Sequence, residues 1–76
     1  MAQQPKIDLD ELKKGFADYP PILTTQDVAD LMSMNVQEVR RLVREGRIPA
    51  RRIGKAYRFF RDEIVLWLYN REPDRT

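Results

Sequence analysis

Apolar side chains recur at helical spacing in four stretches of this chain, and each stretch carries its own start or stop signal. In the first, Leu9, Leu12 and Phe16 share one side, Asp8 and Glu11 are spaced as a capping box, and Gly15 is placed as a stop. This predicts a helix of about two turns over Asp8 to Gly15. A helix so short needs a surface to dock on. Its own domain is the first candidate, a neighbouring copy or another protein the second. Asp18-Tyr19-Pro20-Pro21 then reads as an extended linker, because each proline pushes its predecessor out of the helical region. Thr24, with Asp27 three residues on, opens a second helix over Thr25 to Met32, with Val28, Ala29, Leu31 and Met32 as its apolar positions. Ser33-Met34-Asn35 links it to a third, from Asn35 to Gly46.

That third stretch is the most sharply divided. Asn35 is a preferred N-cap and Glu38 completes a capping box, Gly46 supplies a left-handed stop, and Pro49 bars continuation. At about 100° per residue, Val36, Val39, Leu42 and Val43 fall within an arc of roughly 120°, with Gln37, Arg40, Arg41 and Arg44 on the other side. Beyond it, Ala50-Arg51-Arg52-Ile53 and Tyr57-Arg58-Phe59-Phe60 flank a Gly54-Lys55-Ala56 turn, which predicts a small β-hairpin with Ile53 and Phe59 inward and Lys55 at the tip. The last helix opens at Arg61 with Asp62 and Glu63 in its first turn and runs to about Asn70. Ile64, Trp67 and Leu68 mark its buried side, with Trp67 as keystone of the core and not a base-stacking platform. Met1 to Lys6 and Arg71 to Thr76 carry no pattern and are expected to be disordered or frayed.

Charge changes the meaning of the third helix. A cluster of arginines is ordinarily a solvated face, yet such faces mix signs at i to i+4, and here the side opposite the apolar stripe has no acid, Glu38 and Glu45 lying to its flanks. From Arg40 to Arg61 there are nine basic residues against Glu45 alone, a net of +8, while the other 54 residues carry a net of −6. So polarised a chain both attracts and orients a polyanion. Seventy-six residues allow one domain with a modest core and leave no room for a second catalytic or sensing domain. The absence of cysteine removes disulfides, thiolate metal sites and thiol nucleophiles, and the absence of histidine removes the commonest acid-base group and metal ligand. No cofactor, metal or small-molecule ligand is therefore expected, and no enzymatic activity, since Asp62 and Glu63 are explained as helix-start acids. With no signal peptide and no spanning apolar run, the chain is expected to be soluble, intracellular and away from membranes.

Two short helices joined by three residues, the second capped and basic, describe a helix-turn-helix. The hairpin that follows has the place of a wing, whose cationic tip suits a phosphate backbone or minor groove. The alternative for the hairpin is an ordinary surface ribbon whose arginine stems cover the edge of the core. Asp27 and Asp30 keep the second helix from reading nucleic acid itself, but free N–H groups at its start, beside Thr24 and Thr25, suit one phosphate.

Leu23-Thr24-Thr25-Gln26-Asp27-Val28-Ala29-Asp30-Leu31-Met32, the run from Asn35 through Arg44-Glu45-Gly46-Arg47-Ile48-Pro49, then Arg52-Ile53-Gly54-Lys55, Tyr57-Arg58-Phe59, Asp62-Glu63-Ile64 and Trp67-Leu68 closely resemble the excisionase-type winged helix-turn-helix, a relative of the MerR DNA-binding domain. The resemblance covers Ile22 to Leu68, and its most telling part is Arg-Glu-Gly-Arg-Ile-Pro followed by Ile-Gly-Lys. Family members often carry Gly-Val-Ser where this chain has Ser33-Met34-Asn35. The resemblance implies a mainly α fold with a small β-hairpin, a single winged helix-turn-helix domain over 22–70, preceded by an extension over 1–21 with a short helix and followed by a tail over 71–76. It implies that the third helix enters the major groove and the wing an adjacent minor groove of double-stranded DNA. Arg40 and Arg41 are then expected at base edges, Gln37 at adenine, and Arg44, Arg52, Lys55 and Arg58 on phosphates, with Asn35 at the helix start. MerR regulators add a long dimerisation helix and an effector domain, for which the eight residues after Leu68 leave no room. A stand-alone copy is similar to the excisionases of phages and mobile elements, cytoplasmic in a bacterial host, which bind near attachment sites in several copies, bend DNA and direct an integrase towards excision. A small transcriptional regulator and the DNA-binding module of a phage terminase small subunit are alternatives. An interaction module whose basic face docks an acidic protein or RNA is a rival of another class.

Overall fold

A computed structural model describes residues 7–71, so the expectations for Met1 to Lys6 and for the tail past Arg71 lie outside the described residues. The elements are α1 (Leu9–Gly15), β1 (Ile22–Thr24), α2 (Thr25–Met32), α3 (Val36–Arg44), β2 (Arg51–Ile53), β3 (Ala56–Phe60) and α4 (Arg61–Tyr69).

Local chemistry sets the bounds of the central pair of helices. Thr24 Oγ1 accepts from the Asp27 N–H at 3.1 Å while an Asp27 carboxylate oxygen accepts from the Thr24 N–H at 3.0 Å. Asn35 and Glu38 make the same reciprocal pair at the start of α3. Each box satisfies two N–H groups that a helix start leaves free, and losing such a cap costs about 1 kcal/mol. Both helices also end alike. Met34 donates to the Ala29 carbonyl and Ser33 to that of Asp30, as Arg47 donates to Leu42 and Gly46 to Val43. These are Schellman ends, with Ser33 at φ 54° and Gly46 at φ 69° in the left-handed position. The helix-turn-helix link thus closes without a glycine.

The wing is part of a larger sheet than a hairpin. β3 lies in the middle of a three-stranded antiparallel sheet in the order β1-β3-β2. β1 is too short to display a period; it forms by pairing with β3, with Pro20-Pro21 before it and the Thr24 cap at its end. Leu23 pairs with Phe59, and both are fully buried beside Val28, Val39 and Ile64. Turning of the β2–β3 hairpin takes only Gly54 and Lys55, Gly54 at φ 62°, and Ala56 belongs to β3. Ile53, expected to face inward, is 64% exposed. Its partner is Ala56, an odd number of residues from Phe59 along β3, so the register turns Ile53 to the face of the sheet opposite Phe59.

Three other expectations are corrected. Asp8 stands at the start of α1 but its side chain makes no capping bond, and Gly15 lies within the helix without a positive φ, so the turn at Phe16 ends α1. α1 itself rests against α4, with Phe16 buried and Leu9 and Leu12 packed on the core, the first of its two candidate surfaces. On α4 the fully covered pair is Ile64 and Val65, not Ile64 with Trp67 and Leu68. Val65 is covered because the α1 segment, through Phe16 and Ala17, closes over its side of the helix. Trp67 is no keystone. It sits half-buried at the rim, its Nε1–H donating to the Arg47 carbonyl at 3.0 Å and the Arg71 guanidinium 4.8 Å over its ring.

Together these elements make a small winged helix-turn-helix domain, with α2 and α3 packed on each other and the β2–β3 hairpin as the wing.

Candidate nucleic-acid interface

Fully buried Val39 fixes the rotation of α3, and Val36, Leu42 and Val43 pack beside it on the core. With that side committed, Gln37, Arg40, Arg41 and Arg44 are all exposed. The helix divides them between two concavities. Arg40 joins Val36, Thr24, Thr25 and Gln26 on one wall of an open groove of about 490 Å³, whose other wall is the wing from Lys55 through Ala56 and Tyr57 to Arg58. Gln37, Arg41 and Arg44 line a second, shallower concavity with Asn35 and Glu38. Arg40 and Arg41, paired in the expectation of base contact, therefore serve different sides of the helix, as the 100° between successive residues demands.

The first groove is where the fold adds most to the sequence. Thr24, Arg40 and the wing pair Lys55 and Arg58 come from three separate parts of the chain, and the pairing of Thr24 with Arg58 across β1 and β3 ties the start of α2 to the wing. Arg52 lines neither concavity. It stands exposed on β2 opposite Tyr57, its Nε–H on the Gly54 carbonyl at 3.2 Å. Arg58 is half-buried and donates from Nη1 to the Tyr57 carbonyl at 2.8 Å. Both bonds orient a guanidinium without neutralising it.

Ion pairing separates the nine cations of the basic segment. Arg51 is held by Glu63 at 2.6 Å, Arg47 by Glu45 and Arg61 by Asp62, the last two at 3.4 Å. Arg61 is further occupied by the Tyr19 carbonyl at 2.7 Å, and Arg51 lies 5.3 Å over the Phe60 ring. Among the described residues Arg40, Arg41, Arg44, Arg52, Lys55 and Arg58 have no ion pair. An unpaired cation keeps its full charge for an incoming polyanion, whereas a paired one must first give up its partner.

Gln26, Tyr57 and Glu38 line these surfaces without having been singled out from the sequence. Gln26 follows Thr25 in the first turn of α2, so the helix-start argument reached its neighbours and stopped one residue short. Tyr57 was absorbed into the hairpin as an apolar position, and Glu38 into the cap. Among the described residues no group of three or more His, Cys, Asp or Glu side chains is placed to hold a metal, and no helix is long and apolar enough to cross a membrane.

In comparison with known proteins, a family described as helix-turn-helix domain matches residues 22–71. No curated protein and no solved structure matches the chain.

Proposed function

This chain belongs to the helix-turn-helix domain family, a DNA-binding and non-catalytic kind, and on that footing we propose that it binds double-stranded DNA sequence-specifically as a small excisionase. α3 lies in the major groove, with Gln37, Arg40 and Arg41 at base edges and Asn35 at the helix start. Arg44 and the wing cations Arg52, Lys55 and Arg58 hold phosphates, as do the N–H groups at the start of α2 beside Thr24 and Thr25. The observation that carries this reading is the sorting of charge. The six cations assigned to DNA are those of the basic segment left without a carboxylate among the described residues, and Arg40, Lys55 and Arg58 converge on a single groove.

The excisionase role rests on the resemblance of the recognition helix and wing. On this reading the protein is architectural. Several copies bind beside an attachment site, bend it at a cost of a few kcal/mol offset by their contacts, and favour excision by an integrase. Footprinting on DNA flanking the gene tests it. Tandem head-to-tail sites and stimulation of integrase-dependent excision in vitro are expected. A single palindrome, with repression or activation of the adjoining promoter, assigns the domain to a transcriptional regulator instead. Preference for structured RNA over duplex DNA in mobility shifts overturns the reading altogether.

A further inference from the structure

The concavity on the Arg41 side of α3 holds an acid. Glu38 is exposed on the first turn of the helix and lines that surface with Asn35, Gln37, Arg41 and Arg44. Its Oε1 accepts from the Asn35 backbone N–H at 3.1 Å, while its own backbone N–H donates to Asn35 Oδ1 at 2.8 Å. Arg41 stands three residues on, a spacing at which acid and base commonly pair. Yet Glu38 enters no ion pair among the described residues. The capping box holds the carboxylate back towards the helix start and leaves Oε2 without a hydrogen bond among those residues.

A carboxylate in the first turn of a helix seated in the major groove meets base edges, because the N-terminal residues of such a helix point at them. Near phosphates it is repelled, so it is tolerated only where a donor receives it. Guanine and thymine offer acceptors there, and adenine sets an acceptor, N7, beside its amino group. Cytosine alone presents an amino donor with no acceptor next to it. Three residues of helix rise about 4.5 Å, near one base-pair step of about 3.4 Å. We infer that Glu38 is a specificity-determining residue whose free oxygen accepts from the N4 amino group of a cytosine, one base pair from the guanine read by Arg41. The inference deepens the duplex-reading function proposed above and rests on it.

Selection of binding sites from a random duplex library, run with the wild-type protein and with Glu38→Gln, tests it. Glutamine keeps an oxygen for the Asn35 N–H, so the cap and the fold persist, and thermal unfolding of the variant checks this. The wild type is expected to select cytosine beside guanine and to lose roughly tenfold in affinity when that cytosine is replaced. With Glu38→Gln the preference for cytosine at that one position should be lost in favour of a base that offers an acceptor, because the amide oxygen stays on the Asn35 N–H and the NH2 in place of the free oxygen is a donor, with the other positions unchanged. Equal tightening on every sequence, with the cytosine preference intact, makes Glu38 only a repelling charge and overturns the inference while leaving duplex reading in place. A wild-type protein that enriches no sequence overturns duplex reading itself, and the wild-type selection alone distinguishes that failure.

Discussion

Ser33 sits in the left-handed region at φ 54°, ψ 42°, with both Schellman hydrogen bonds made around it. Only its own conformation is unfavourable, since an L side chain there costs about 1–2 kcal/mol and glycine escapes that cost. Glycine gives back part of the gain through the freer unfolded chain. Ser33→Gly is therefore expected to stabilise the domain by about 0.5 kcal/mol, raising Tm by roughly 2–4 °C in thermal unfolding. A lowered Tm would mean that the serine side chain does something in the turn beyond tolerating it. The cations of α3 and the wing differ in what they are expected to touch, and single substitutions separate them. Arg41→Ala should weaken binding to a selected duplex by about 1–3 kcal/mol more than binding to random sequence, whereas Lys55→Ala should weaken both alike. Titrations of both variants on both duplexes decide it, and equal losses for Arg41→Ala on the two DNAs would remove that residue from base readout.

At the scale of elements, the orientation of α3 depends on how its two ends are tied down. Its start is anchored by the reciprocal Asn35–Glu38 cap, and its end by the Schellman turn at Gly46, after which the Arg47 carbonyl accepts from the Trp67 indole on α4. That bond joins the far end of the recognition helix to the last helix of the chain. Trp67→Phe keeps an aromatic ring at the rim but removes the donor, so a loss of about 1 kcal/mol in denaturant unfolding is expected. The wing is likewise tethered. Arg51 reaches from β2 to Glu63 on α4 and stacks over Phe60, so the hairpin is braced at its base while its tip, Gly54 and Lys55, stays exposed. The capping boxes of α2 and α3, the Gly46 stop and the hairpin were legible in the sequence because each is determined by residues within a few positions of one another, whereas the uncapped start of α1 and the left-handed stop at Ser33 were not. Nor was β1. Three residues reveal no alternation, and Ile22, Leu23 and Thr24 become a strand only because β3 offers them an edge to pair with.

For the whole molecule, the +8 segment from Arg40 to Arg61 is folded so that, among the described residues, three of its cations are spent on internal acids and six remain. If those six take part in binding and five or six phosphates are neutralised, log K should fall with log salt at a slope near −5. A salt titration of duplex affinity measures this directly. Removing Lys55 is expected to flatten the slope by about 0.9, and a slope near zero would rule out the phosphate contacts as a group. The net of −6 on the rest of the chain favours approach of DNA from the basic side.

Periodicity, caps and charge spacing, read along the chain, determined four helices, a basic third helix and a cationic wing, because these depend on near neighbours and on the fixed geometry of a helix turn. What those rules could not reach was decided by contacts between distant residues. Burial of Val39 and pairing of Leu23 with Phe59 set which sides of α3 and the sheet are covered, placing Arg40 in the groove with Lys55 and Arg58 and leaving Arg41 beside Glu38. Val65 proved to be core and Trp67 rim for the same reason: α4 is apolar on nearly every side, and only the neighbour that packs on it selects which residues lose their water.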